Sequence, residues 1–231
     1  MVDAITDEAL DQKVYSILRN AILERKLLPG TKISLLALSR ELGVSRTPMR
    51  LAVQRLATEG LIIMMPNQAP KVAKPSVKNI EDIFYMRSLL EPAAASLAAR
   101  FATASELKKL ETAIEQGYQA FKSRNLLDFL NNNTKIHYLI ADMSRNEALK
   151  DTIKQFLDKS TIILSLFDPF YSYSEQEEFV SYQEDLAILE AIRTSDSKLA
   201  AKKMKKHILR AFKDLPLDSL DEATRSFPRL K

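Results

Sequence analysis

The chain has 231 residues, 46% hydrophobic and 28% charged, which fits a packed globular protein and excludes a disordered or fibrous one. It has no cysteine, so disulfides and thiolate metal sites are ruled out. Its net charge of +4 is unevenly placed: residues 1–75 hold 11 Lys/Arg against 7 Asp/Glu, and residues 76–231 hold 23 against 23. Gly30, Gly43 and Gly60 lie in the same basic third, with only Gly117 beyond it. A small, turn-rich, basic domain is expected to precede a larger, nearly glycine-free one. No apolar run reaches the roughly 18–20 residues of a membrane span. The start, MVDAITDEALDQKV, lacks the basic and apolar stretches of a secretory signal, so a cytoplasmic protein is expected.

In chain order, Val14, Ile17, Leu18, Ala21 and Ile22 recur at helical spacing and predict a helix over 10–27. Pro29-Gly30 stops it. A second helix is predicted from Leu35 to Leu42, closed by Gly43, a residue that tolerates left-handed backbone angles. Ser45 can cap a third helix, with Pro48 accepted in its first turn and Gly60 at its end. LIIMMPNQAPKVAKP then reads as two short strands around a turn at Pro66–Pro70. Helix, helix, tight turn, helix and hairpin make a winged helix-turn-helix over residues 1–74, whose third helix presents its N-terminal end to the DNA major groove. Arg46 and Arg50 share one face there, with the fork geometry that suits guanine or phosphate. Ser45 and Thr47 are candidates for backbone bonds, with Arg40 and Lys71 as further DNA-binding cations and Gln68 beside the wing tip. Leu51, Val53, Leu56 and Leu61 are expected on the buried side.

Residues 75–80 are read as a linker and 81–231 as an antiparallel helical bundle, which makes the chain mainly α. A long helix carrying Pro92 opens the bundle. Thr103 and Glu106 have capping-box spacing and start a helix to about Lys122. Helices are predicted next at Asn125–Met143 and Ala148–Leu166. DPFYSYS forms a loop whose Tyr171 and Tyr173 either cover a pocket or lie on the surface. Ser174 and Glu177 repeat the capping box and open a helix to about Arg193, Ser195-Asp196-Ser197 breaks it, and Lys198–Lys213 is last. The run Lys202, Lys203, Lys205, Lys206 reads as a solvated helix face.

The stretch VYSILRNAILERKLLPGTKISLLALSRELGVSRTPMRLAVQRLATEGLI resembles the DNA-binding domain of GntR-family transcriptional regulators. IEDIFYMRSLLEPAAASLAAR, KIHYLIADMSRNEAL and LAILEAIRTSDSKLAAKKMKKHI resemble the FCD effector domain of the FadR-type branch. That resemblance implies a homodimer on a palindromic double-stranded operator, with a small carboxylate effector held in the bundle, on a divalent metal ion such as zinc, nickel or manganese. It implies no organic cofactor and no membrane. The family's metal positions fall here on Asn133, His137, Asp185 and His207, with Asp185 where the family usually has histidine. Arg87 resembles the family's first-helix arginine and is the candidate partner of an effector carboxylate; its other reading is an ion pair with Glu91. On their own terms, Asn133 and His137 share a helix face, while His207 lies in an apolar stripe with Ala200, Met204 and Ile208. Asp185 is in register with Ile188, Leu189 and Ile192. The expectation is a ligand-responsive repressor rather than an enzyme. The rivals are a metal-dependent enzyme, which lacks any phosphate loop or nucleophile with a local base, and a DNA binder with an inert bundle. The family departures are Leu36, where an arginine is common, and a wing tip without glycine.

Overall fold

A computed structural model describes residues 7–167, 170 and 175–217. The chain divides into two compact units, 1–75 and 76–231.

In the first unit, α1 (Asp7–Leu23), α2 (Leu35–Leu42) and α3 (Arg46–Thr58) precede β1 (Ile62–Ile63) and β2 (Lys71–Val72). Helix α1 stops short of the predicted Leu27 because Arg25 takes φ 59°, and the Leu27 amide turns back to the Ala21 carbonyl at 2.9 Å. Gly43 closes α2 at φ 63°, its amide reaching the Ser39 and Arg40 carbonyls. A Cβ there would meet nothing within 4 Å, so the backbone angle rather than space selects glycine. The Ser39 hydroxyl then donates to the Val44 carbonyl at 2.6 Å and fixes the turn into α3. The strands pair antiparallel, Ile62 with Val72 and Ile63 with Lys71.

Helix α3 buries Pro48, Met49, Ala52, Val53 and Leu56, a stripe at helical spacing that packs on Val14, Leu18 and Ile22 of α1. Leu51, expected in that stripe, is instead 43% exposed. It follows Arg50 by one residue, about 100° around the helix, and so falls on the outward face with the arginines.

The second unit holds α4 (Val77–Phe101), α5 (Ala104–Lys122), α6 (Leu126–Met143), α7 (Glu147–Phe167), α8 (Glu175–Arg193) and α9 (Ser197–Lys213). Helix α4 begins inside the expected 75–80 linker, because Ser76 caps it by accepting from the Asn79 amide. It continues through Pro92. It packs most extensively on α9, in antiparallel sense: Ser197 near the start of α9 donates to the Ser96 carbonyl, and Phe212 near its end meets Phe84 at 5.6 Å. Ala94, Ala95, Ala98 and Ala99 supply a buried small-residue face on α4. The Thr103–Glu106 capping box is formed in both directions. Most of DPFYSYS, including Tyr171 and Tyr173, and the Ser174–Glu177 box lie outside the described residues.

Candidate functional sites

On α3, the side opposite the core carries Arg46, Thr47, Arg50, Leu51 and Gln54, all exposed. Ser45 is the N-cap residue with extended backbone, yet its side chain makes no capping hydrogen bond. Among the described residues, neither Arg46 nor Arg50 has a carboxylate partner, and Arg40 on α2 is likewise unpaired. Arg55 behaves differently. It donates to Gln12 at 2.6 Å, pairs with Glu59 and stacks over Tyr15 at 3.8 Å, so it belongs to the α1–α3 interface. On the wing, Gln68 is exposed and Lys71 half-buried. Leu51 and Gln54 were not among the sequence candidates; the signal for them was their spacing from Arg46, Thr47 and Arg50.

In the second unit, α6 and α9 bring His137 and His207 together, their ring centroids 5.3 Å apart. Each imidazole faces a glutamate. His137 Nδ1 lies 2.5 Å from Glu91 Oε2 on α4, a charge contact without hydrogen-bond geometry, and His207 Nδ1 lies 3.3 Å from Glu184 Oε2 on α8, within hydrogen-bond geometry. Each glutamate also carries an arginine: Arg87 Nε to Glu91 Oε1 at 2.5 Å, and Arg210 Nε to Glu184 Oε2 at 2.7 Å. Burial pushes both glutamates toward the neutral form. For Glu91, Arg87 and His137 outweigh that and hold the carboxyl at about 2; for Glu184, His207 and Arg210 do the same. Burial pushes the His137 imidazole down, against the pull of Glu91.

Asp185 is 9% exposed, and burial raises its carboxyl above the usual aspartate range. Among the described residues its Oδ1 has no hydrogen-bond partner, and it lies 3.8 Å from His207 Nε2. Asp185 and Asn133 line one cleft between α5, α6 and α8, whose cavity volume is only about 20 Å³, where Tyr118 stacks on Tyr182 at 4.3 Å. The structure therefore brings His137, His207 and Asp185 into one neighbourhood and sets Asn133 on the cleft wall. Arg87, expected to await an effector, is 3% exposed and committed to Glu91 and to the Ser160 hydroxyl at 3.1 Å.

As a test of fit to a divalent ion, the donor types are suitable: two imidazoles, a carboxylate and an amide. Asp185 Oδ1 is a buried acceptor without a hydrogen-bond partner among the described residues, and His207, though not His137, has the hydrogen-bonded carboxylate support typical of metal-ligating imidazoles. Among the described residues, no three His, Cys, Asp or Glu side chains are gathered tightly enough to hold an ion as they stand. Sequence reasoning missed Glu184 and Arg210, and it read Glu91 only as a partner for Arg87. Helical spacing links Glu91 to Arg87, but nothing in the sequence ties either glutamate to a histidine on another helix.

The fold and the outward arginines define the class: a winged helix-turn-helix DNA-binding protein with a second, helical unit. Residues 10–72 match the gntR family of bacterial regulatory proteins, and residues 82–210 match the FCD domain. The chain belongs to this family of FCD-containing GntR regulators, which are transcriptional regulators rather than enzymes. It is 28% identical to the HTH-type transcriptional repressor RspR of Escherichia coli (strain K12), over 87% of this chain and 86% of that protein. It is 30% identical to the Nta operon transcriptional regulator of Aminobacter aminovorans, over 57% of this chain and 62% of that protein. Among solved structures, E. coli McbR/YncC matches with TM-score 0.67 and 21% identity, covering 93% of this chain and 98% of that one. At that identity the structural likeness speaks for the fold. Among the described residues, no helix is long and apolar enough to cross a membrane.

Proposed function

We propose that this DNA-binding transcriptional regulator is a ligand-responsive repressor, acting as a homodimer on a palindromic operator. The observation that carries the reading is the pair Arg46 and Arg50, exposed on α3 and, among the described residues, without a carboxylate partner. Such arginines at the start of a recognition helix suit base edges and phosphates in the major groove. Ser45 and Thr47 bond the DNA backbone, while Arg40 and Lys71 add phosphate contacts. RspR, similar over most of the chain, is named a repressor, which supports that sign of regulation.

The helical unit takes a small carboxylate effector. His137, His207, Asp185 and Asn133 would hold a divalent ion, whose chemistry when bound is to attract the effector's carboxylate. The committed state of Arg87 leaves it a structural role. The effector releases DNA only if it binds better to the conformation in which the recognition helices are misplaced.

Fluorescence anisotropy on duplexes selected from a random pool tests the first part. Arg50→Ala should weaken binding by about 1–3 kcal/mol, roughly 5- to 150-fold, if it reads a base. Unchanged affinity removes Arg50 from the interface. Elemental analysis of the purified protein, with a thermal-shift panel of small carboxylates, tests the second part.

A further inference from the structure

The outer face of the wing carries two cations side by side. Beyond its place in the β1–β2 ladder, Lys71 forms an isolated antiparallel bridge with Lys32, in the segment ahead of α2. The bonds flanking that bridge run from the Ile33 amide to the Pro70 carbonyl at 2.7 Å and from the Val72 amide to the Thr31 carbonyl at 2.9 Å. They make Lys32 and Lys71 a non-hydrogen-bonded pair, the arrangement in which antiparallel neighbours stand closest, with Cα atoms about 4.5 Å apart. Ile33 and Val72, the next residues along, are buried, so both lysines point to the opposite, outward side. Lys32 is exposed and Lys71 half-buried, and among the described residues neither has a carboxylate partner. Like charges directly opposite across a ladder repel. The hairpin from Ile62 to Pro70 carries no charged residue, so the wing's attraction for a polyanion falls to its base.

We propose that Lys32 and Lys71 act as one clamp on a single DNA backbone phosphate. The clamp deepens the proposed operator contact and rests on it. A phosphate seated between two ammonium groups replaces their repulsion with two charge-assisted hydrogen bonds. The backbone that carries the lysines is held firmly at both ends. At the tip, Pro66 and Asn67 take the central places of a turn that the Gln68 amide closes on the Met65 carbonyl at 3.2 Å. Asn67 has φ 58° there, so asparagine supplies the left-handed angle that the absent wing glycine would. At the base, β1 packs on α3 and is tied to it by the Leu61 amide to the Leu56 carbonyl at 2.9 Å. The clamp is thus fixed relative to Arg46 and Arg50. Phosphate contacts of this kind set the position of the protein on the duplex without reading its sequence.

Anisotropy of the full-length protein on one selected duplex, over a salt series, is the first test. Lys32→Gln should flatten the slope of log K against log salt by about 1 per protomer bound, as should Lys71→Gln, while Lys32→Arg should keep the wild-type slope. With both lysines changed to glutamine the loss should again be about 1 rather than about 2, because one phosphate is lost once. Methylphosphonate replacement, one phosphate at a time, then locates the contact. A single position in each half-site should weaken the wild type and be silent in both single variants. A loss of about 2 in the double variant, or different silent positions for the two lysines, overturns the clamp in favour of two separate contacts. An unchanged slope in Lys32→Gln overturns it as well; if Arg40→Gln still flattens the slope, the operator reading stands. A wild type that binds no duplex at low salt sinks both. Lys32→Gln removes a like-charge contact, so the melting temperature of the DNA-free protein should not fall. A fall would show that Lys32 is already engaged in the free protein, which the clamp forbids.

Discussion

A guanidinium that is 3% exposed must find its counter-charge inside the protein. Arg87 finds it in Glu91, four residues along the same helix, and adds a bond to Ser160 on α7. Removing one member of such a pair strands the other in a dry interior, which costs more than the pair itself contributes. Arg87→Ala should therefore destabilise the helical unit by about 3–5 kcal/mol, read from the urea midpoint. A loss under 1 kcal/mol would show that water reaches Glu91. Sequence alone leaves Arg87 two readings, effector anchor or partner of Glu91, because helical spacing shows who is near on one helix and not what faces it from another. The same gap hides Glu184 from His207, 23 residues away on α9. Leu51 is the reverse case: its apolar character suggests burial, whereas its angular position beside Arg50 places it outside.

At the scale of the element, the helical unit turns its chain without glycine. Arg124, Arg145 and Ser195 hold φ of 54–57° in the links α5–α6, α6–α7 and α8–α9. Each is closed by backbone bonds to the helix before it, such as the Asp196 amide to the Ala191 carbonyl at 3.0 Å. A left-handed non-glycine residue costs about 1–2 kcal/mol. Ser195→Gly should thus raise stability by about 0.5–1 kcal/mol, the relief of strain less the entropy glycine adds to the unfolded chain; a lower melting temperature would refute this. These links explain why helix order was legible in the sequence while several ends were not. Capping residues such as Thr103 and Gly43 announce themselves by type, but an arginine in a left-handed turn does not, and α1 ends early at Arg25 for the same reason.

Arg145 has a second duty, donating both terminal nitrogens to Glu106 at 2.7 Å. That contact, with the Thr103 cap, holds the Glu106 carboxyl at about 2 against the modest upward push of burial. A carboxyl depressed in the folded state contributes stability above its unfolded value, near 4.5, and loses it as pH falls toward 2. Glu106→Gln should accordingly be less stable than wild type at neutral pH, with the gap shrinking below about pH 4.5 and closing as pH falls to about 2, in melting curves across that range. A constant gap would mean that Glu106 acts through packing alone.

At the scale of the whole molecule, charge is divided unevenly between the two units. The excess of four positive charges lies in residues 1–75, and residues 76–231 are balanced. Counterion release ties the salt dependence of DNA binding to phosphates contacted, about 0.9 in the slope of log K against log salt for each. That dependence should therefore reside in the first unit. Arg40→Gln or Lys71→Gln should each flatten the slope by about 1 per protomer bound, weakening all sequences alike, whereas Arg50→Ala should change which sequences are preferred. The exposed lysines of α9 make the contrasting case, since Lys206 lies 3.7 Å from Glu184 and the run belongs to a unit with no net charge. Replacing Lys202, Lys205 and Lys206 together by glutamine should leave the slope where it was. A flatter slope in that triple variant would mean that DNA also touches α9, and the confinement of DNA contacts to the first unit would not hold.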